Sequence, residues 1–151
     1  MYQIYTDGAA SNNVKGAGIG GYAYIITKNN RIISQKSFSK KNTTNNECEL
    51  LAIIAACKAV FYTNEEIQIY SDSAYCINCY KQKWWEKWIQ NGWLTSKKDP
   101  VANKELWEQL IPYFQNPRFR FEKVEGHSSN QFNEMADRMA VAAKFDFIEN
   151  F

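Results

Sequence analysis

The chain has no long apolar run, no export signal and almost no charge imbalance. Its longest uninterrupted apolar segment, Leu50 to Cys57, is eight residues and ends at Lys58. A membrane-crossing helix needs about 20. Met1-Tyr2-Gln3-Ile4-Tyr5 lacks the basic start and long apolar stretch of a signal peptide. No membrane partner is expected. Eighteen basic and 16 acidic residues leave a net +2, so total charge gives no footprint of nucleic acid. The sequence also lacks internal repeats and linkers, and its 151 residues fit one domain. With 45% hydrophobic residues, a disordered chain is excluded.

Cysteine is present but sparse: Cys48, Cys57, Cys76 and Cys79. Cys76 and Cys79 form a C-x-x-C, yet no second pair completes a zinc site. A redox role would require a thioredoxin-like setting. Buried, reduced thiols are the simpler reading, and a cytoplasmic protein is expected. A thiol redox protein remains as an alternative, and it predicts that alkylation abolishes activity.

The pattern along the chain is that of one α/β domain. Tyr2, Ile4 and Thr6 share one face of a strand that stops at Asp7-Gly8. Ala9 to Gly21 reads as a turn-rich stretch. Tyr22 to Thr27 and Arg31 to Phe38 read as strands joined at Asn29-Asn30, a hairpin signal. Leu50, Ile53, Ile54, Cys57 and Phe61 then recur at helical spacing, up to Thr63-Asn64. Either Thr44 with Glu47 or Asn46 with Glu49 supplies the capping box. A strand at Ile67–Tyr70, a helix capped by Ser73, a tryptophan-rich helix ending at Gly92, a helix over Asn103–Tyr113, a strand over Arg118–Val124 and a last helix follow. The order is βββ-α-β-α-α-α-β-α. Right-handed crossovers make the later strands parallel to the first, giving a mixed sheet.

Some charged residues stand apart from ordinary surface. Asp7 and Asp72 sit at the ends of the first and fourth strands, where open α/β sheets place ligand sites. Each is equally able to make a local Asx-turn. Glu49 lies in the first turn of the first long helix and is free if Thr44 provides the cap. Asp137 borders the apolar face of the last helix. His127, the only histidine, sits in a Gly/Ser loop. Carboxylates converging in a cleft repel one another and take up protons. A hard divalent cation removes that penalty: Mg²⁺ binds to one or two carboxylates together with substrate phosphates. Two such ions about 4 Å apart can stabilise both the attacking and the leaving oxygen of a phosphoryl displacement.

Tyr5-Thr6-Asp7-Gly8, Gly18-Ile19-Gly20-Gly21-Tyr22, Thr43-Thr44-Asn45-Asn46 with Glu49-Leu50, Ser71-Asp72-Ser73, and Gly126-His127 with Asn133-Glu134-Met135-Ala136-Asp137 occur in that order. The series resembles ribonuclease H of type 1, from Tyr2 to about Ala143. The resemblance implies a five-stranded mixed sheet, three antiparallel strands then two parallel, flanked by helices. It implies an endonuclease that cuts the RNA strand of RNA–DNA hybrids with two Mg²⁺ ions (Mn²⁺ as a substitute), leaving a 3′-hydroxyl and a 5′-phosphate. Asp7, Glu49, Asp72 and Asp137 would bind metal, and His127 would assist proton transfer or product release. Asn13, Asn45 and Asn46 would contact the minor groove, where a 2′-hydroxyl distinguishes RNA. Thr44 and Asn103 would grip a phosphate of the DNA strand. Trp84 and Trp88, with Ser96 nearby, would wall the DNA channel; their spacing of four also suits a core stripe.

Residues 81–104 hold six lysines against Glu86 and Asp99. This strip resembles the basic protrusion of cellular enzymes, placed at about 81–100 of a single domain spanning 1–151. Several positions depart from the family. Asn42 stands where Arg is common, Ser129 where Gly is common, the loop after Asp7 is longer than in the shortest versions, and Glu125 faces a polyanion. No hybrid-binding module precedes Met1, so modest processivity is expected. A monomer is a separate expectation. A non-catalytic hybrid-binding module and a ribonuclease H domain of a reverse transcriptase are the alternatives.

Overall fold

A computed structural model describes residues 1–11, 18–124 and 130–149, with side chains described as far as 146. Asn13, Glu125, His127, Ser129 and the Phe147 side chain lie outside the described residues. The elements are β1 (Tyr2–Ser11), β2 (Ile19–Lys28), β3 (Arg31–Lys41), α1 (Asn45–Ala59), β4 (Ile67–Ser71), α2 (Ala74–Gln82), α3 (Trp84–Asn91), α4 (Lys104–Phe114), β5 (Phe119–Lys123) and α5 (Gln131–Glu149). The order is the expected one. The sheet runs β3-β2-β1-β4-β5. β1, β2 and β3 pair antiparallel, and β1, β4 and β5 pair parallel.

The β2–β3 hairpin turns at Asn29 and Asn30, whose φ values of 53° and 61° are left-handed. Two such residues in a row match the twist of the flanking strands, and asparagine tolerates that region better than other non-glycine residues. α1 passes over one face of β1 and β2 and meets α4 and α2 on its other side. α5 packs on the opposite face, across β2, β1 and β3. The larger core holds Ile4, Leu50, Ile53, Ile69, Trp107, Phe119 and Phe121; Trp107 is fully buried. A smaller core of Tyr5, Ile25, Phe132 and Ala136 sits under α5.

Four expectations need correction. β1 does not stop at Asp7-Gly8; it continues to Ser11, and Asp7 pairs with Ala23 inside the strand. What ends there is the ladder to β4, whose last pair is Tyr5 with Tyr70. Ala9 to Gly21 is accordingly not one turn-rich stretch, since Ala9, Ala10 and Ser11 pair with Gly21, Gly20 and Ile19. Gly92 is the only described glycine at positive φ; the glycines near the site serve close packing instead. Phe61 lies beyond the end of α1 and is 69% exposed. α1 is less one-sided than its spacing implied: Cys48, Glu49, Leu50, Ala52, Ile53, Ile54, Ala56 and Cys57 are all buried. A helix clamped between a sheet and two other helices buries more than one stripe.

A Cβ on Gly21 would run into the Ala140 carbonyl oxygen and the Lys144 amide of α5. Backbone atoms cannot step aside as a flexible side chain can. Gly21→Ala should therefore destabilise the fold by about 3 kcal/mol, an overpacking cost. That lowers the Tm by roughly 6–12 °C in a chain of this size, measurable by calorimetry. An unchanged Tm would mean that α5 does not lie this close to β2.

Candidate metal and nucleic-acid site

Asp7 comes from the middle of β1, just past the point where β4 leaves it. Asp72 is the first residue after β4. The parallel β1–β4 pairing thus brings both to one end of the sheet. Glu49 reaches them from the start of the second turn of α1, one residue past the first turn expected from the sequence, and Asp137 from the second turn of α5. Carboxylate oxygens of Asp7, Glu49 and Asp72 lie within 4.8 Å of one another. Asp137 comes to Asp7 from the opposite face of the sheet, and its charge raises the Asp7 carboxyl further. Asp7 is 4% exposed and Glu49 8%, while Asp72 and Asp137 lie open to solvent.

The cap at the start of α1 resolves in favour of Thr44. Its Oγ1 accepts from the Glu47 amide at 3.1 Å. The Glu47 carboxylate is held by the Thr43 hydroxyl at 2.6 Å and by Lys40 Nζ at 3.3 Å. Glu49 is left free for the site. Its Oε1 accepts from the Gly8 amide, which also donates to Asp7 Oδ1 at 2.9 Å. One backbone N–H therefore bridges both buried carboxylates. Gly8 is the residue that sequence reasoning overlooked. A side chain there would collide with the Cys48 carbonyl and the Glu49 amide. The signal was available in Asp7-Gly8, a pair explained equally well as a strand-ending turn.

The electrostatics follow from burial. Removal from water pushes the Asp7 carboxyl up to about 8; the hydrogen bond with Glu49 opposes this and the charge of Asp72 adds to it. Glu49 is likewise pushed well above the usual carboxylate range, by burial first and then by Asp7. A cluster of this kind binds a proton or a cation at neutral pH.

Asn45 Oδ1 accepts from the Ala10 amide at 2.6 Å, which leaves its NH₂ as the group able to donate outward. Asn46 is exposed beside it. Asn103 precedes α4 in a left-handed conformation, φ 61°, and hydrogen-bonds Tyr75. With Glu47 and Lys104 it lines a cavity of about 440 Å³. Thr44 is not among the residues lining it. Trp84 and Trp88 are half-buried and pack against the main core. Trp88 lies 5.5 Å from Trp107 between ring centroids and 5.6 Å from Trp93. The core-stripe reading of these tryptophans holds in part, since each ring packs against the core and stays partly exposed. Ser96 is exposed in the loop after α3.

The thiol alternative is not supported. All four cysteines are free and buried. Burial raises the Cys76 and Cys57 thiols far above their ordinary range and Cys79 to about 12. The thiolate is the reactive form. No described helix is long and apolar enough to cross a membrane.

Comparison with known proteins places this geometry in context. Residues 1–145 match the model of the RNase H family. Ribonuclease H of Syntrophomonas wolfei is 45% identical over 139 residues, covering 91% of each chain. Ribonuclease H of Clostridium botulinum strain Hall is 40% identical over 146 residues, covering 95% of each. Among solved structures, the PFV RNase H domain aligns with a TM-score of 0.80 at 21% identity, over 96% of this chain and 94% of that one. LC11-RNase H1, in complex with an RNA/DNA hybrid, aligns with a TM-score of 0.72 at 21% identity, over 98% and 99%. At that identity the structural neighbours speak for the fold alone. The family match and the relatives run through every element that contributes a carboxylate, and this chain belongs to the ribonuclease H family.

Proposed function

We propose that the chain hydrolyses the RNA strand of RNA–DNA hybrids as a divalent-metal-dependent endonuclease, leaving a 3′-hydroxyl and a 5′-phosphate. The convergence of Asp7, Glu49 and Asp72 oxygens within 4.8 Å carries the reading. The donor set is all oxygen and two of its members hold raised pKa values, which suits a hard cation such as Mg²⁺ or Mn²⁺. Asp7, Glu49 and Asp72 would hold one ion, and Asp7 with Asp137 a second. When bound, the ions supply the positive charge that activates the attacking water and steadies the leaving oxygen.

The remaining work falls to the chain itself. The Gly8 amide fixes Asp7 and Glu49 so that their oxygens stay aimed inward. Water attacks the phosphodiester in line, the bond to the 3′ oxygen breaks, and that oxygen takes up a proton. His127 would move this proton, since its unperturbed pKa near 6.5 suits transfer in either direction. The Asn45 amide donates to a 2′-hydroxyl, with Asn46 and Asn13 alongside in the minor groove, and so selects the RNA strand. Thr44, whose hydroxyl can still donate while capping α1, and Asn103 take a DNA-strand phosphate. Trp84, Trp88 and Ser96 line the path of the DNA strand, where flat rings pack on deoxyribose. Residues 81–100 form the basic protrusion of a single domain spanning 1–151. A cytoplasmic monomer fits the buried free thiols.

Asp7→Asn and Asp72→Asn should each lower Mg²⁺-dependent cleavage of a labelled hybrid by more than about a hundredfold. Loss of supporting groups at metal sites already costs 10–100-fold. Near-wild-type cleavage by either variant would overturn the assignment.

Metal-free stability provides an independent check. Native Asp7 retains a proton that the unfolded chain releases above its ordinary value of 3.8. The native state therefore binds more protons between that value and about 8, and stability falls as pH rises through this window. The slope is at most about 1.4 kcal/mol per pH unit for one proton. Denaturation in EDTA should show lower stability at neutral than at mildly acidic pH. Mg²⁺ should close the gap and Asp7→Asn should flatten the slope. A flat metal-free profile for the wild-type chain would contradict the buried cluster.

A further inference from the structure

Between Asp7 and Glu47 the sequence holds six basic residues and no acidic one. Four of the six (Arg31, Lys36, Lys40 and Lys41) lie on β3, the outermost strand of the sheet. β3 spans about 35 Å at the usual rise per residue, and it is exposed almost throughout. Lys40 is paired with Glu47 at 3.3 Å. Arg31, Lys36 and Lys41 have no acidic partner among the described residues. Lys36 Nζ rests 5.6 Å above the Phe38 ring, and Phe38 stacks on Tyr22 at 4.9 Å. The aromatic pair stiffens the middle of the strand beneath the lysine.

The register ties this edge to the carboxylate cluster. Asp7 pairs with Ala23, and Ala23 pairs with Ser37. Two inter-strand steps make about 10 Å from the Asp7 backbone to β3. The Lys40–Lys41 end leads directly into Thr43–Asn46 at the start of α1. Lysines on an edge strand also prevent one sheet from pairing with another. Unpaired cations along one edge strand, Lys36 on the α1 face with Phe38 and Lys41 on the α5 face with Ser39, stand close to a site for a polyanion and fit contacts to backbone phosphates.

We propose that the exposed edge of β3 is a second binding surface for the phosphate backbone of the hybrid, gripping substrate beyond the segment being cut. It is separate from the lysine-rich strip at 81–104, and it rests on the function proposed above. Arg31, Lys36 and Lys41 are the residues free to neutralise phosphates. The surface lengthens the footprint without taking part in the chemistry, so its effect depends on substrate length.

The experiment compares the wild-type chain with the triple variant Arg31→Gln, Lys36→Gln, Lys41→Gln on hybrids of about 10 and about 40 base pairs, roughly one and four helical turns. Binding is followed by fluorescence anisotropy in EDTA across a salt series, and cleavage of the short hybrid is followed in Mg²⁺. On the long hybrid the salt slope of log K should fall by roughly 2–3, near 0.9 for each phosphate that is no longer neutralised. The short hybrid should be cleaved as by wild type, and its binding should lose less of the salt slope than that of the long hybrid. The charge-preserving variant Arg31→Lys, Lys36→Arg, Lys41→Arg should keep the wild-type slope. Equal slopes for wild type and the Gln variant on the long hybrid would overturn the proposal. So would a variant that aggregates with its slope unchanged, which would assign the cations to edge protection. Failure of both proteins to cleave the short hybrid would overturn the underlying function, and this surface with it.

Discussion

Two carboxylates held almost out of water, Asp7 at 4% exposure and Glu49 at 8%, impose the constraint around which the rest of the structure is arranged. Burial and mutual repulsion both favour their neutral forms, so the pair opposes its own ionisation. Something must hold the two oxygens together against that repulsion before any cation arrives. The Gly8 amide does so, donating to both side chains at once. For that amide to sit between them, β1 must pass close beneath the first turn of α1. Only a residue without Cβ permits the approach, because the Cys48 and Glu49 backbone occupies the space.

β1 is also the strand that holds the sheet together. It pairs antiparallel with β2 on one edge and parallel with β4 on the other, and the two ladders differ in length. The parallel ladder ends at Tyr5 and Tyr70, so β4 turns away just before Asp72. The antiparallel ladder carries Asp7 onward, paired with β2 alone, as far as Ser11. Asp7 is therefore rigid while Asp72 stands on a turn at the rim. A cleft opens where the strands part, the general location of ligand sites in α/β sheets. α1 and α5 approach it from opposite faces, each packed against small residues. On the α5 side this depends on Gly21, and on the α1 side on Gly8 and on Gly20 beneath Cys48.

Much of this was legible because local chemistry and global fold agree. The Asn29-Asn30 turn, the Thr44 and Ser73 caps and the Gly92 stop each follow from a residue type doing at its position what its side chain does best. The four acidic positions could be picked out because each interrupts a pattern. The glycines of β1 and β2 misled the reading. Glycine in a sequence signals a turn more often than close packing, and only the tertiary approach of α1 and α5 separates the two. Phe61 misled it for a related reason: spacing continued the helical stripe while the helix itself ended at Ala59. Two carboxylates on different faces of a sheet, such as Glu49 and Asp137, both come to Asp7 through topology, which local spacing does not encode.

Charge shows the same division between what composition reports and what folding does. A net +2 suggests a bland surface, yet the fold gathers acidic groups at one point and leaves cations along two separate lines. The lysines of 81–104 are recognisable as a cluster because they adjoin tryptophans. Those of β3 are spaced widely enough to resemble ordinary edge protection. Their significance emerges only from the register, which sets Ser37 in line with Ala23 and Asp7. On the function proposed above, attraction along those lines would draw in a polyanion, which the buried carboxylates would repel unless cations stood between. On that same function, a divalent ion at the carboxylates would let the cluster and the cationic flanks act on one polyanion, and substrate affinity and metal affinity would be coupled through the same charges.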